Sequence, residues 1–108
     1  MKQANKMKDI YNWRNKKNNL NQIFTNVPDI TKVILFGSYA KNKATTNSDI
    51  DMIIDSGGKL MGFKLFNLIS DIEEKLNKNV DAFEKVEIIK GSRIDLEINR
   101  TGVIVYEK

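Results

Sequence analysis

The chain reads as an α/β (α+β) domain, a small mixed sheet of about four strands flanked by helices. Short β-branched and aromatic runs alternate with longer stretches whose apolar residues recur at helical spacing. Proline, glycine and asparagine punctuate the boundaries between them. From Met7 to Asn26 the residues Ile10, Trp13, Leu20, Ile23, Phe24 and Val27 follow helical spacing, and Pro28 ends the helix by disfavouring helical geometry before it. Thr31–Phe36 (TKVILF) is a buried strand between Pro28 and Gly37. Ser38–Lys43 forms a helical turn or short helix, followed by a polar loop through Asn47. Asp49–Ile54 (DIDMII) is the second strand, broken by Ser56-Gly57-Gly58. In Met61–Leu76 the residues Phe63, Phe66, Ile69, Ile72 and Leu76 form one broad apolar face of a helix. Val80–Glu84 is a third strand. Ser92–Arg100 is helical, with Ser92 as N-cap and Gly102 just past its end. Val103–Tyr106 is the fourth strand. The expected core joins the helix stripes to Val33, Ile34, Leu35, Ile53 and Ile54.

The 108 residues suit one domain spanning 1–108, with one hydrophobic core and no second substrate-binding domain. The first twenty residues lack the continuous apolar run of a leader or a membrane span, so a cytoplasmic protein with no membrane attachment is expected. The chain has no cysteine and no histidine. Disulfides, thiolate nucleophiles and every Ser-His-Asp arrangement are thereby excluded. Chemistry must run on carboxylates, lysines, hydroxyls, backbone amides and bound ions. A net charge of +4 invites a nucleic-acid partner. Lysine and asparagine are enriched throughout, however, and Lys2, Lys6, Lys8, Arg14, Lys16 and Lys17 read as the solvated face of a helix. Direct nucleic-acid binding is not expected.

Two segments carry chemistry. Residues two apart in a strand share a face, so Asp49 and Asp51 stand side by side. Two such carboxylates repel unless a cation lies between them or one is protonated. Oxygen donors without His or Cys favour Mg²⁺ or Mn²⁺ over zinc. Upstream, Gly37-Ser38 follows directly on a buried strand. Glycine there lets the backbone approach a phosphate, and the next amides and the Ser38 hydroxyl can donate to its oxygens. Lys41 and Lys43 add positive charge one turn on. Either segment alone also has a bland reading: acids guarding an edge strand, or an ordinary strand-to-helix turn with a serine cap.

Together they read LFGSYAKNKATTNSDIDM, which closely resembles the signature of the DNA polymerase β-like nucleotidyltransferases and above all their minimal nucleotidyltransferase (MNT) branch. Gly37-Ser38, Ala40 and Ser48-Asp49-Ile50-Asp51 fall in register with that signature, and the closing Gly-Val-Ile-Val-Tyr strand matches too. Lys41 replaces the usual arginine, keeping the charge but losing bidentate geometry. Asn42 replaces the usual glycine, and asparagine is the residue next most tolerant, after glycine, of the left-handed conformation such a turn often needs.

The resemblance implies a polymerase β-like fold and a nucleotidyl transfer. Asp49 and Asp51 would hold two Mg²⁺ ions against the triphosphate of ATP, with Gly37, Ser38 and Lys41 at the phosphates. Asp81 matches the third catalytic and metal-binding carboxylate, with Glu84 as its rival. Stand-alone MNT proteins are typically antitoxins that attach AMP to a tyrosine of a partner HEPN-domain toxin ribonuclease. Transfer to a small-molecule hydroxyl, or neutralisation by binding alone, are the alternatives.

Overall fold

The computed structural model describes residues 20–45 and 47–108. Most of the expected N-terminal helix, with Ile10, Trp13 and the basic cluster, lies outside them; residues 20–25 are helical. Four strands follow: β1 (Lys32–Phe36), β2 (Ile50–Asp55), β3 (Val80–Glu84) and β4 (Val103–Glu107). Helix α1 (Phe63–Leu76) joins β2 to β3. A 3₁₀ turn (Lys85–Glu87) and helix α2 (Arg93–Thr101) join β3 to β4.

The sheet order is β3-β2-β1-β4. β1 pairs antiparallel with both β2 and β4, whereas β2 and β3 run parallel, so the sheet is mixed as expected. A parallel pair needs a crossover, and α1 supplies it. Val33 and Leu35 of β1, Ile50, Met52 and Ile54 of β2 and Val80 of β3 are buried on one face. They form the core with Leu65, Leu68, Ile72 and Leu76 of α1 and with Leu20 and Phe24. α2 lies against β1.

One expectation is corrected. Phe63 and Phe66 point outward, at 86% and 65% exposure. The helix carries two apolar stripes. The stripe of Leu65, Leu68, Ile72 and Leu76 has the i, i+3, i+7, i+11 spacing that faces the sheet, and a helical step of 100° turns Phe63 and Phe66 away from it. Ile72 and Leu76, common to both readings, are buried. Ile34, expected in the core, is half-buried on the α2 side.

Local chemistry sets the boundaries of α2. The Ser92 hydroxyl accepts from the Asp95 amide at 3.3 Å, and the Asp95 carboxylate accepts from the Gly91 amide at 2.8 Å. These reciprocal bonds satisfy two donors at the helix start. α1 starts without a side-chain cap and ends on Asn77 in the left-handed conformation, whose amide reaches the Glu73 carbonyl. Among the described residues no helix is long and apolar enough to cross a membrane.

Candidate active site

Strand pairing assembles the site. Asp51 lies opposite Phe36 on β1 and opposite Asp81 on β3. Paired residues share a face, so the Asp51 and Asp81 carboxylates project together from the face opposite the main core. Asp49 stands one residue ahead of β2 and is exposed. Glu84, three residues beyond Asp81, is fully buried at the far end of the β2–β3 pair.

Burial raises the Asp51 carboxyl above its ordinary value, and the charges of Asp81, Asp49 and Glu97 raise it further. Three acids therefore act on one group. Such a cluster calls for a cation or a proton. The donor set is all carboxylate oxygen, and Asp51 with Asp81 fits a hard divalent ion such as Mg²⁺. Among the described residues no three acid, histidine or cysteine side chains converge on a common metal position. Asp49 contributes charge to the site, and its carboxylate would have to turn toward the pair to complete a three-carboxylate position.

Gly37 closes the other side. Its φ of 76° is in the left-handed region. A Cβ there would collide with Oδ2 of Asp51. The glycine therefore both makes the turn and leaves room for the carboxylate. Gly37→Ala is expected to strain the backbone by about 1–2 kcal/mol and to displace Asp51. Nucleotidyl transfer should fall at least about tenfold while the circular dichroism spectrum stays folded.

After Gly37 the chain makes one helical turn, with the Lys41 amide on the Gly37 carbonyl at 3.2 Å and the Lys43 amide on the Ser38 carbonyl at 2.9 Å. Asn42 takes φ 58°, the conformation anticipated for it. Tyr39 packs against the core, with the Lys78 ammonium 5.5 Å from its ring centre. Lys41 does not face an empty cleft: its ammonium pairs with Glu97 of α2 at 2.7 Å. Phe36, Gly37, Lys41, Asp51, Arg93 and Glu97 line a recess of about 310 Å³ between the sheet and α2.

Glu97 is the site residue that sequence reasoning missed. It lies in a short helix 46 positions after Asp51, and only the packing of α2 against β1 brings it to the site. The Lys41 hydrogen bond lowers the Glu97 carboxyl below its usual value, burial opposing it, with the charges of Lys41, Arg100 and Arg93 acting in the same sense as that bond. Glu97→Gln should free Lys41 and remove one negative charge beside Asp51. A few-fold tighter apparent affinity for a nucleoside triphosphate is expected by calorimetry.

Strand-borne carboxylates beside a glycine turn, on an open mixed sheet, are an arrangement suited to metal-assisted phosphate chemistry. Residues 18–108 match the family described as Polymerase beta, Nucleotidyltransferase, and the chain belongs to that family. A chain of Methanocaldococcus jannaschii carrying the name Putative protein adenylyltransferase is 36% identical over 59 residues, covering 55% of this chain and 60% of its own length. This chain thus spans under two thirds of that relative. A chain in the crystal structure of a toxin–antitoxin with AMP-PNP superposes with a TM-score of 0.69 at 20% identity, covering 85% of this chain and 73% of the other. A chain in the structure of a tri-AMPylated Shewanella oneidensis HEPN toxin in complex with an MNT antitoxin gives 0.53 at 20% identity, covering 100% and 74%. At that identity the structural likenesses speak for the fold.

Proposed function

We propose that this protein is a Mg²⁺-dependent nucleotidyltransferase of the MNT kind, an antitoxin that transfers AMP from ATP to a tyrosine of a partner HEPN toxin. The observation that carries the reading is the Asp51–Asp81 pair, held in strand register at a turn where glycine alone leaves room for it. The names of the relatives support the transferred group and the partner. One is named for protein adenylylation, one was solved with AMP-PNP, and one is bound to an AMPylated HEPN toxin.

In this reading the amides after Gly37 and the Ser38 hydroxyl donate to the phosphate oxygens. Lys41 exchanges Glu97 for the triphosphate. Asp49, Asp51 and Asp81 are the residues that would hold Mg²⁺. When bound, the metal neutralises charge on the phosphates and on the departing pyrophosphate. Asp81, exposed at the edge of the site, takes the proton of the acceptor hydroxyl. The acceptor oxygen bonds to the α-phosphorus, the bond from that phosphorus to the bridging oxygen breaks, and pyrophosphate leaves.

The test is intact-mass measurement of a HEPN protein encoded in the adjacent reading frame, incubated with this chain, Mg²⁺ and each nucleoside triphosphate in turn. A gain of one or more adenylyl groups with ATP is expected. An unchanged mass with full neutralisation of the toxin would show an antitoxin that acts by binding alone.

A further inference from the structure

Arg93 opens α2, yet nothing in the helix accounts for a cation there. A helix carries partial positive charge at its N-terminus, so an arginine in the first turn is disfavoured. Glu97 lies four residues on, but acid after base is the poorer order for such a pair, and Glu97 bonds Lys41 instead, at 2.7 Å. Lys41 and Arg100 act on the Glu97 carboxylate more strongly than Arg93 does. The Arg93 side chain is exposed and forms no ion pair among the described residues. It does line the recess of about 310 Å³ that also contains Gly37, Lys41, Asp51 and Glu97.

The sheet gives that recess a direction relative to the carboxylates. β2 has β1 on one flank and β3 on the other, so Asp51 borders Phe36 and Gly37 on one side and Asp81 on the other. Phe36 and Gly37 line the recess, whereas Asp81 does not. In an in-line displacement the attacking and leaving oxygens stand on opposite sides of the phosphorus. An acceptor hydroxyl that gives its proton to Asp81 approaches from the β3 side, so the leaving oxygen faces β1 and α2. As the acceptor oxygen bonds to the α-phosphorus, the bond from that phosphorus to the bridging oxygen breaks and its electron pair departs with pyrophosphate. Negative charge thus gathers in the recess, where Lys41 is already tied to Glu97 and the Arg93 guanidinium is not. A guanidinium offers parallel N–H donors in a rigid fork that matches phosphate oxygens.

We propose that the recess between the sheet and α2 is the pocket for the departing pyrophosphate, and that Arg93 is the residue that grips it. The assignment rests on the nucleotidyl-transfer reading for its direction, but the binding it asserts is measurable without turnover. Arg93 then holds the two outer phosphates of ATP before the reaction and the leaving group after it, with Lys41 as the second cation once Glu97 has let it go. Because the arginine opposes the polarity of its helix, removing its charge should not cost stability.

The experiment is calorimetry of the full chain with Mg²⁺, titrated with inorganic pyrophosphate, ATP or AMP. Arg93→Gln is expected to weaken pyrophosphate and ATP at least about tenfold and AMP less than about twofold, while melting no earlier than the wild type. Arg93→Lys, which keeps the charge without the fork, should recover only part of the loss. Undiminished pyrophosphate binding in Arg93→Gln would overturn the assignment, as would equal weakening of ATP and AMP or a wild type that binds no pyrophosphate. If Arg93→Gln keeps its pyrophosphate affinity while the wild type transfers AMP, the pocket fails and the transfer reading stands. If pyrophosphate binds through Arg93 yet the wild type transfers no AMP to any acceptor, the pocket stands and the transfer reading fails.

Discussion

The Asp51→Asn variant is expected to lose AMP transfer by at least about a thousandfold while melting no earlier than the wild type. The two halves of that expectation have one cause. Asp51 sits beside Asp81, Asp49 and Glu97, and burial together with those charges disfavours its ionised form. A carboxyl whose folded value is raised contributes stability at low pH that is lost as the pH rises through that value. At neutral pH the wild type therefore carries repulsion that asparagine removes, so thermal melts without divalent ions should favour the variant. Mg²⁺ should reverse the order, raising the melting temperature of the wild type more than that of the variant. A protein whose Asp51 is merely a surface acid would show neither the loss of transfer nor the crossover with Mg²⁺.

The largest effect on stability belongs to Glu84. Its side chain is fully buried, and one carboxylate oxygen accepts from the Ser56 amide at 2.8 Å, the Ser56 hydroxyl at 2.9 Å and the Gly58 amide at 3.0 Å. The other oxygen accepts from the Val86 amide at 2.5 Å. The Ser56 hydroxyl in turn accepts from the Leu60 amide at 2.9 Å. Glu84 thus ties the turn after β2 to the end of β3, the two strands that present Asp51 and Asp81. Glu84→Ala would strand several buried donors at once, and a loss of about 3 kcal/mol or more is expected from urea unfolding.

The acid limb of the stability curve should carry the same signature. Burial pushes the Glu84 carboxyl up, but the amides of Val86, Ser56 and Gly58 and the Ser56 hydroxyl outweigh it and hold the group below the ordinary 4.5. A depressed carboxyl contributes stability that is present above its unfolded value and lost as the pH falls through the folded one. Wild-type stability should therefore decline below about pH 4.5, and Glu84→Gln should flatten that decline. An unchanged acid limb in the variant would mean that the four hydrogen bonds favour no particular charge state.

Much of this was legible in the sequence, because the informative signals were local. Four strands, two helices and the Ser92 cap follow from spacing and end chemistry alone, and the left-handed Asn42 from the resemblance and residue preference. The likeness of Gly37-Ser38 to a phosphate-binding turn also needed only a few adjacent residues. What stayed hidden depends on contacts between distant segments. Phe63 and Phe66 share helical spacing with Ile69, Ile72 and Leu76, yet only the sheet decides which of two stripes it will cover. Glu97 reaches the site through the packing of α2, and its bond to Lys41 changes what that lysine must give up to bind phosphate. The parallel pairing of β2 with β3 puts Asp81 beside Asp51 and Glu84 beside Ile54. Strand alternation turns those two acids to opposite faces, but only the pairing shows which face carries Asp51.

The most direct test follows the label in ATP. The protein, Mg²⁺ and a HEPN protein encoded in the adjacent reading frame, the proposed partner, are incubated with ATP labelled at the α-phosphate or at the γ-phosphate, and the protein-bound label is counted. Label from the α-position should appear on the partner, label from the γ-position should leave as pyrophosphate, and Asp51→Asn should abolish the first. Partner-bound γ-label, or partner labelling undiminished in the Asp51→Asn variant, would contradict a nucleotidyl-transfer site at Asp51 and Asp81.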